Sequence, residues 1–222
     1  MNIEAIAWFS SPMKEKFGIP RQAGLAPALK GVVRFVKPYD SPEAVRGLEN
    51  FDYCWLLWGF SKNGADSCSL TVRPPRLGGN ERLGVFATRS PFRPNGLGLS
   101  CVKIDSVGKG FITVSGADLA DGTPIYDVKP YVAYADSHPD AKCGFIDENA
   151  WQELEVEISE DIRKELGDSD SEALQQLLSQ DPRPAYKRSA AAGGDYGLVF
   201  GAYNIKFSVS EGKVFVHSAE KY

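Results

Sequence analysis

The stretch "LSCVKIDSVGKGFITVSGA", residues 99 to 117, decides the reading of the fold. Within it Val102, Ile104 and Ser106 fall on one face and Lys103, Asp105 and Val107 on the other, which is the period of two that a half-buried strand requires. Past Gly108 and Gly110 a second strand-like run, "GFITVSGA", begins. Working outward, further short runs separated by Gly and Pro fill the first two thirds of the chain: "IEAIAWF", "GVVRFVKPY", "YCWLLWGF", "CSLTVR" and "LGVFAT". So many short strands point to a mainly β domain, a barrel or a sandwich. "YCWLLWGF" is apolar on both faces and belongs at the centre of a sheet or at an interface. A short helix is expected over "PEAVRGLEN", with Ser41 as its N-cap and Pro42 in the first helical position.

Near residue 150 the texture changes. "WQELEVEIS" alternates like a strand, "EDIRKELG" reads as a helix stopped by Gly167, and Ser169 with Glu172 has capping-box spacing at the head of "SDSEALQQLLSQ". "YNIKFSVSEGKVFVHS" reads as a hairpin turning at Ser210 to Gly212. Between that helix and that hairpin, "DPRPAYKRSAAAGGDYG" is too broken by Pro and Gly for either element. The expected organisation is a β domain over residues 1–145 and a smaller α+β domain over 146–222.

Composition narrows the function classes. The chain has 222 residues, 43% of them hydrophobic, and a net charge of −4, so a polyanion would have to meet a local basic patch. It contains no run near the roughly 20 apolar residues of a membrane span, and its start lacks the pattern of a signal peptide, so the cytoplasm is the expected compartment. Cys54, Cys68, Cys101 and Cys143 form no CxxC pair, and with only His138 and His217 beside them no metal site is expected; they read as buried small hydrophobes. A dinucleotide fingerprint fails because "GLGLSC" has Cys101 in place of the third glycine and runs into a strand. Neither a P-loop nor a G-x-S-x-G elbow is found.

Three stretches carry unusual chemistry. Arg73, Arg76, Arg82, Arg89 and Arg93 fall within 21 positions that hold one acid, Glu81, on a backbone stiffened by Pro74, Pro75, Pro91 and Pro94. They could bind an anion or pair with the protein's own carboxylates on a solvated loop. "GADLADGTPIYDVKPYVAYAD" holds Asp118, Asp121, Asp127 and Asp136 around an Asp-Gly turn. "PRQAG" at 20 to 24 offers a guanidinium and an amide.

Taken together, "GVFATRSPFRPNGLGLS", "VRPPRLGGN", "DLADGTPIYDVKPYVAYAD" and "PRQAG" closely resemble the TrmO family, over nearly all of residues 1 to 140, and "DPRPAYKR" resembles its bacterial C-terminal module. The resemblance implies a non-Rossmann β-barrel that uses S-adenosylmethionine to methylate N6 of threonylcarbamoyladenosine beside the anticodon of threonine tRNA, acting as a homodimer. One departure is Gly96-Leu97, where the family string is closer to "RPNPIGLS". Carried over by motif, Pro20, Arg21, Gln22, Ser61, Lys62, Arg89, Leu99, Asp121, Gly122, Thr123 and Pro124 are expected along the cofactor. For the activity so implied, Asp127, Tyr131 and Asp136 are candidates to take the N6 proton. Arg93 and Lys129 are candidates for the substrate's threonine carboxylate, as is Arg89. Arg183, Lys187 and Arg188 suit tRNA phosphates, and Tyr186 suits an unpaired base. The rival readings are a non-catalytic barrel that holds S-adenosylmethionine or RNA, and a hydrolase of a small phosphorylated substrate.

Overall fold

Ala7 and Phe9 point inward from the first strand, β1 (Ala7–Ser10), while Trp8 faces out. The same alternation recurs in β2 (Lys30–Phe35) and β3 (Tyr53–Gly59). Two-residue strands β4 (Thr71–Val72) and β5 (Leu83–Gly84) form a small separate ribbon, after which come the long β6 (Leu97–Gly108), β7 (Phe111–Ser115) and β8 (Thr123–Pro130). In this computed structural model the described residues are 2–62, 68–78, 81–149, 151–184 and 194–222. Strands β1, β2, β7, β6, β3 and β8 pair in that order into a closed barrel, which settles the choice between barrel and sandwich. Closure leaves no unpaired edge among the six strands.

The strand that completes the ring is β8, which pairs with β1 on one side and β3 on the other. The barrel core is built from inward residues of every strand, among them Phe9, Val33, Leu56, Trp58, Val102, Ile112, Val114 and Ile125. Packing is close enough that a Cβ added at Gly31 would lie 2.2 Å from Phe9 Cζ. Of the expected local elements, "CSLTVR" and "LGVFAT" contribute only the short β4 and β5, and the latter turns at once into a 3-10 helix over Val85–Ala87. The helix begun at Ser41, α1 (Pro42–Val45), is capped as expected by the Ser41 side chain. It stops short because Gly47 takes a φ of 89° before a 3-10 turn over Leu48–Asn50.

Two short helices, α2 (Ala133–Asp136) and α3 (Phe145–Glu148), lead out of the barrel. Strand β9 (Glu155–Ile158) then runs into α4 (Glu160–Leu166), capped by Ser159, and α5 (Asp168–Ser179). Gly167, at a φ of 79°, is both the end of α4 and the cap of α5, so Ser169 falls inside the helix instead of at its head. Strands β10 (Asp195–Phe200), β11 (Tyr203–Ser210) and β12 (Lys213–Lys221) complete a four-stranded sheet in the order β10-β11-β12-β9. The β11–β12 turn is Glu211-Gly212, both at positive φ, the requirement of a two-residue type I′ hairpin. Helix α5 turns Leu174, Leu177 and Leu178 onto this sheet.

The second core also takes in Met13, Ala26 and Leu29, with Phe17, Ile19 and Ala28 packed at its margin. The loop between β1 and β2 therefore leaves the barrel, packs into the α+β core, and returns. Met13 pairs with Phe200, and the Gly201 N–H donates to the Pro12 carbonyl at 2.8 Å. Of the cysteines, Cys54 is buried, and burial pushes its thiol up to about 12. Cys68 and Cys143 are exposed, against the sequence expectation, because both lie outside the strands that form the core.

Candidate functional site

One end of the barrel collects the polar loops. There β1, β3 and β7 finish and β2, β6 and β8 begin, so the connections carrying "PRQAG", Ser61-Lys62, the arginine loop and the Asp121 turn all emerge on the same side. Arg89 Nη1 donates to Gln22 Oε1 at 2.6 Å across that mouth. Beside them, the Gly24 N–H donates to the Gly116 carbonyl at 2.8 Å.

At the same end, Asp121 holds a second cluster. Its Oδ1 accepts the Ser11 N–H at 2.9 Å and its Oδ2 meets Lys14 Nζ at 2.9 Å, while Lys62 Nζ donates to the Lys14 carbonyl. Partial burial pushes the Asp121 carboxyl up, but the bonds from Lys14 and Ser11 and the charges of Lys14 and Lys62 outweigh it and hold it below the ordinary value. The Asp121 and Gly122 N–H groups donate to the carbonyls of Met13 and Phe9. Thr123 is 2% exposed, with its hydroxyl spent on the Ala120 carbonyl, and Pro124 is buried in register with Trp8. These two shape the turn, and Asp121 and Gly122 are the residues it presents.

Of the remaining residues expected along the cofactor, Pro20 is buried, Ser61 and Lys62 are exposed, and Leu99 points outward from β6 with 57% of its surface open. Arg21 turns away from the barrel mouth: its Nη2 donates to the Asp181 carbonyl at 3.0 Å and its guanidinium lies 4.2 Å from the Trp151 ring centroid.

The expected catalytic residues lie on the outer wall. Leu99, Leu57 and Asp127 form one row across β6, β3 and β8; Cys101, Trp55 and Lys129 form the next. Asp127 Oδ1 accepts the Val128 N–H at 2.9 Å and its Oδ2 meets Lys129 Nζ at 3.0 Å. Tyr131 donates its N–H to the Tyr53 carbonyl, four residues along β3 from Leu57 and so roughly 13 Å from the Asp127 row. Its ring packs against Tyr53 and Trp55. Asp136 accepts from the Val132 N–H at 2.8 Å and from Trp55 Nε1 at 3.1 Å, bonds that lower its pKa and leave it a weak base. The fold thus brings Asp127 into the Leu99 row and Lys129 into the next, leaves Tyr131 at the far end of the strand, and turns the Asp136 carboxylate back onto Trp55 in the Lys129 row.

Among the expected substrate contacts, Arg93 Nη1 donates to the Thr88 carbonyl at 3.0 Å inside its own loop. Arg183 grips Asp181 with Nε at 2.8 Å and Nη2 at 3.0 Å, and its side chain is only 11% exposed. That burial removes Arg183 from the cations open to a polyanion. Tyr186, Lys187 and Arg188 lie outside the described residues. Among the described residues no group of His, Cys, Asp and Glu could hold a metal ion, and no helix is long and apolar enough to cross a membrane.

Sequence reasoning left two participants without a role. Asp118 accepts from the Ser100 hydroxyl, and Lys14 bridges Asp121 and the Lys62 side chain. The signal for Asp118 was its position between Ala117 and Leu119, both buried, since a carboxylate in an apolar run needs a partner.

A closed non-Rossmann barrel whose site lies on loops at one end, with one loop built into a second α+β core, defines a two-part class of protein. The family models of the tRNA-methyltransferase O N-terminal domain and the TrmO C-terminal domain match residues 8–137 and 151–222. The chain is 37% identical over 227 residues to the tRNA (adenine(37)-N6)-methyltransferase of Escherichia coli (strain K12), covering 98% of this chain and 97% of that protein. It is 43% identical over 136 residues to the human protein of the same name, 60% of this chain and 31% of that one. The crystal structure of TrmO from Pseudomonas aeruginosa superposes with a TM-score of 0.81 at 33% identity, covering 99% of this chain and 98% of that chain. The chain belongs to the tRNA-methyltransferase O family.

Proposed function

We propose that this protein is a cytoplasmic, homodimeric enzyme that transfers a methyl group from S-adenosylmethionine to N6 of threonylcarbamoyladenosine beside the anticodon of threonine tRNA. The observation that carries the reading is the convergence at one barrel end of Gln22, Arg89, Lys14, Lys62 and Asp121, drawn from four separate segments. These residues fit the cofactor's chemistry: Arg89 suits a carboxylate, Asp121 suits an ammonium or sulfonium, and exposed Leu99 offers an apolar face. When bound, S-adenosylmethionine supplies an electrophilic methyl group on a positively charged sulfur.

The chain's own residues then have to bind, align and accept a proton. Arg89 and Gln22 fix one side of the site through their mutual bond. Asp127 is the favoured acceptor for the N6 proton, since it shares a row with Leu99 and is 42% exposed. Lys129, 72% exposed beside Asp127, is the candidate partner of the substrate's threonine carboxylate. Of the expected tRNA contacts, Lys187 and Arg188 remain assigned to tRNA phosphates and Tyr186 to an unpaired base, whereas Arg183 is spent on Asp181.

The test is incubation with radiolabelled S-adenosylmethionine and bulk tRNA from cells with and without the threonylcarbamoyl modification. Label is expected only in the modified pool. Equal labelling of both pools rejects the substrate, and cofactor binding with no transfer to either supports a non-catalytic binding barrel.

A further inference from the structure

The arginine-rich stretch left two partners open, an anion or the protein's own carboxylates. Among the described residues none of Arg73, Arg76, Arg82, Arg89 and Arg93 forms a salt bridge. Three of them are spent on neutral oxygens: Arg76 on the Asn149 carbonyl at 3.0 Å, Arg89 on Gln22, and Arg93 on the Thr88 carbonyl. Arg73 and Arg82 are exposed and flank the β4–β5 ribbon. Val72 pairs with Leu83, so one step along the antiparallel register Arg73 stands opposite Arg82. Arg82 Nη1 donates to the Thr71 hydroxyl at 2.8 Å, and the exposed Glu81 beside it pairs with neither guanidinium. Like charges facing each other across a ribbon are destabilising, so the fold gains nothing from this pair.

The same ribbon carries apolar side chains into water. The Val85 N–H donates to the Leu70 carbonyl at 3.0 Å and the Ser69 N–H to the Phe92 carbonyl at 3.1 Å, which places the Phe86 and Phe92 positions beside Leu70. Leu70 is 80% exposed and Phe86 76%, and Phe92 is open as well. The Ser69–Phe92 bond also joins the ribbon to the loop whose Arg89 reaches across the barrel mouth.

We propose that the β4–β5 ribbon is a contact for single-stranded RNA: Arg73 and Arg82 take phosphates of the tRNA anticodon loop, and Phe86 stacks on one of its unpaired bases. This rests on the reading of the substrate as a tRNA methylated beside its anticodon. Exposed aromatic rings interleaved with arginines suit splayed bases and their backbone, whereas a paired helix keeps its base faces stacked inside. The anticodon loop is the unpaired stretch next to the reacting adenine, and the ribbon adjoins the mouth where that adenine has to enter. Prolines 74, 75, 91 and 94 limit the freedom these segments lose on binding. The contact belongs to the barrel domain and is distinct from the one assigned to Tyr186, Lys187 and Arg188.

The experiment measures binding of full-length wild type, the double variant Arg73→Ala/Arg82→Ala, and Phe86→Ala to labelled threonine tRNA and to a blunt RNA duplex, by fluorescence anisotropy over a salt series. Calorimetry with S-adenosylmethionine, thermal melts and sedimentation velocity accompany it. The double variant is expected to bind tRNA about tenfold more weakly, with a slope of log Kd against log salt smaller by roughly 1.4, the counterion release of two single-strand phosphates. Phe86→Ala is expected to lose about tenfold with its salt slope unchanged. Both keep cofactor affinity and duplex binding within about twofold. Removing the facing charges leaves the melting temperature unchanged or higher, which loss of a merely structural pair would not do. Wild-type tRNA affinity in the double variant overturns the proposal, as does an equal loss on tRNA and duplex, the mark of a basic patch that does not read single strands. A Phe86→Ala protein that sediments differently and keeps its tRNA affinity overturns it too, because that face then joins copies of the chain. A wild type that neither binds nor methylates threonine tRNA overturns the substrate reading and the ribbon contact together, whereas binding and methylation by wild type and variants alike overturn the ribbon contact alone.

Discussion

Arg21 Nη2 donates to the main-chain carbonyl of Asp181 at 3.0 Å, and that bond ties the loop between β1 and β2 to the α+β domain. The same guanidinium lies 4.2 Å from the Trp151 ring centroid, and Arg76 approaches that ring at 5.8 Å. Gln22, the next residue, faces Arg89. The C-terminal domain therefore braces the proposed cofactor loop as well as any tRNA contact it makes. Trp151→Ala removes the surface on which Arg21 rests, an interaction of about 0.5–2 kcal/mol. S-adenosylmethionine affinity is expected to fall by about two- to tenfold although Trp151 lies outside the barrel, and titration calorimetry on the full-length variant measures it.

Arg89 and Arg93 lie four residues apart in the same Pro-stiffened loop but have different tasks. The Arg89 fork reaches Gln22, 67 residues away in sequence, whereas Arg93 Nη1 closes its own loop on the Thr88 carbonyl. Lysine preserves charge and loses the planar fork, so the two Arg→Lys variants separate these tasks. Arg89→Lys is expected to lower kcat/KM for S-adenosylmethionine by about tenfold with little change in melting temperature. Arg93→Lys is expected to shift the melting temperature more than the cofactor KM. Steady-state kinetics and thermal melts on both variants decide the assignment.

These contrasts also explain what could be read from the residues alone. β6 was legible up to Ile104, where Val102 and Ile104 face the core and Lys103 and Asp105 face out; past the irregularity between Ile104 and Ser106 the expected faces swap, so that Ser106 is exposed and Val107 packs against the core. β8 was not, because Pro124, Pro130 and the Asp127–Lys129 pair interrupt the pattern, and its strand character comes from pairing with β1 and β3 on either side. β10 was obscured in the same way, by Gly197 and by the broken sequence before it. In the site, the motifs located the loops through a family resemblance, but which arginine would meet which partner depended on distant contacts. Arg183 shows the limit: a basic residue in a Pro-rich loop suggests an open cation, and the fold closes it on Asp181 two residues away.

Gly98 stands opposite Trp58 in the β3–β6 ladder, and a Cβ added there would lie 2.3 Å from the indole Cε2. The ring cannot move freely, since it packs edge-on against Phe60 at 4.4 Å and its Nε1 holds Ser100. Gly98→Ala is expected to destabilise the protein by about 1–3 kcal/mol through overpacking, visible as a melting temperature lower by several degrees. A variant as stable as wild type would show that the ladder opens to admit a methyl group.

Asp121 makes a pH-dependent contribution whose direction follows from its partners. The Lys14 and Ser11 bonds and the nearby lysine charges hold its folded-state carboxyl below the ordinary value of 3.8. The folded state therefore binds fewer protons than the unfolded state in the interval between the two values, and stability rises with pH across it. The contribution is fully present above 3.8 and is lost as pH falls through the lower folded-state value. Asp121→Asn lacks this titration. It should be less stable than wild type near neutral pH, and the gap should close in acid below that ordinary value. Denaturant melts of both proteins at neutral pH and in a series of acid buffers measure the gap, and one that stays constant into strong acid would show that the Asp121 contribution is not ionic.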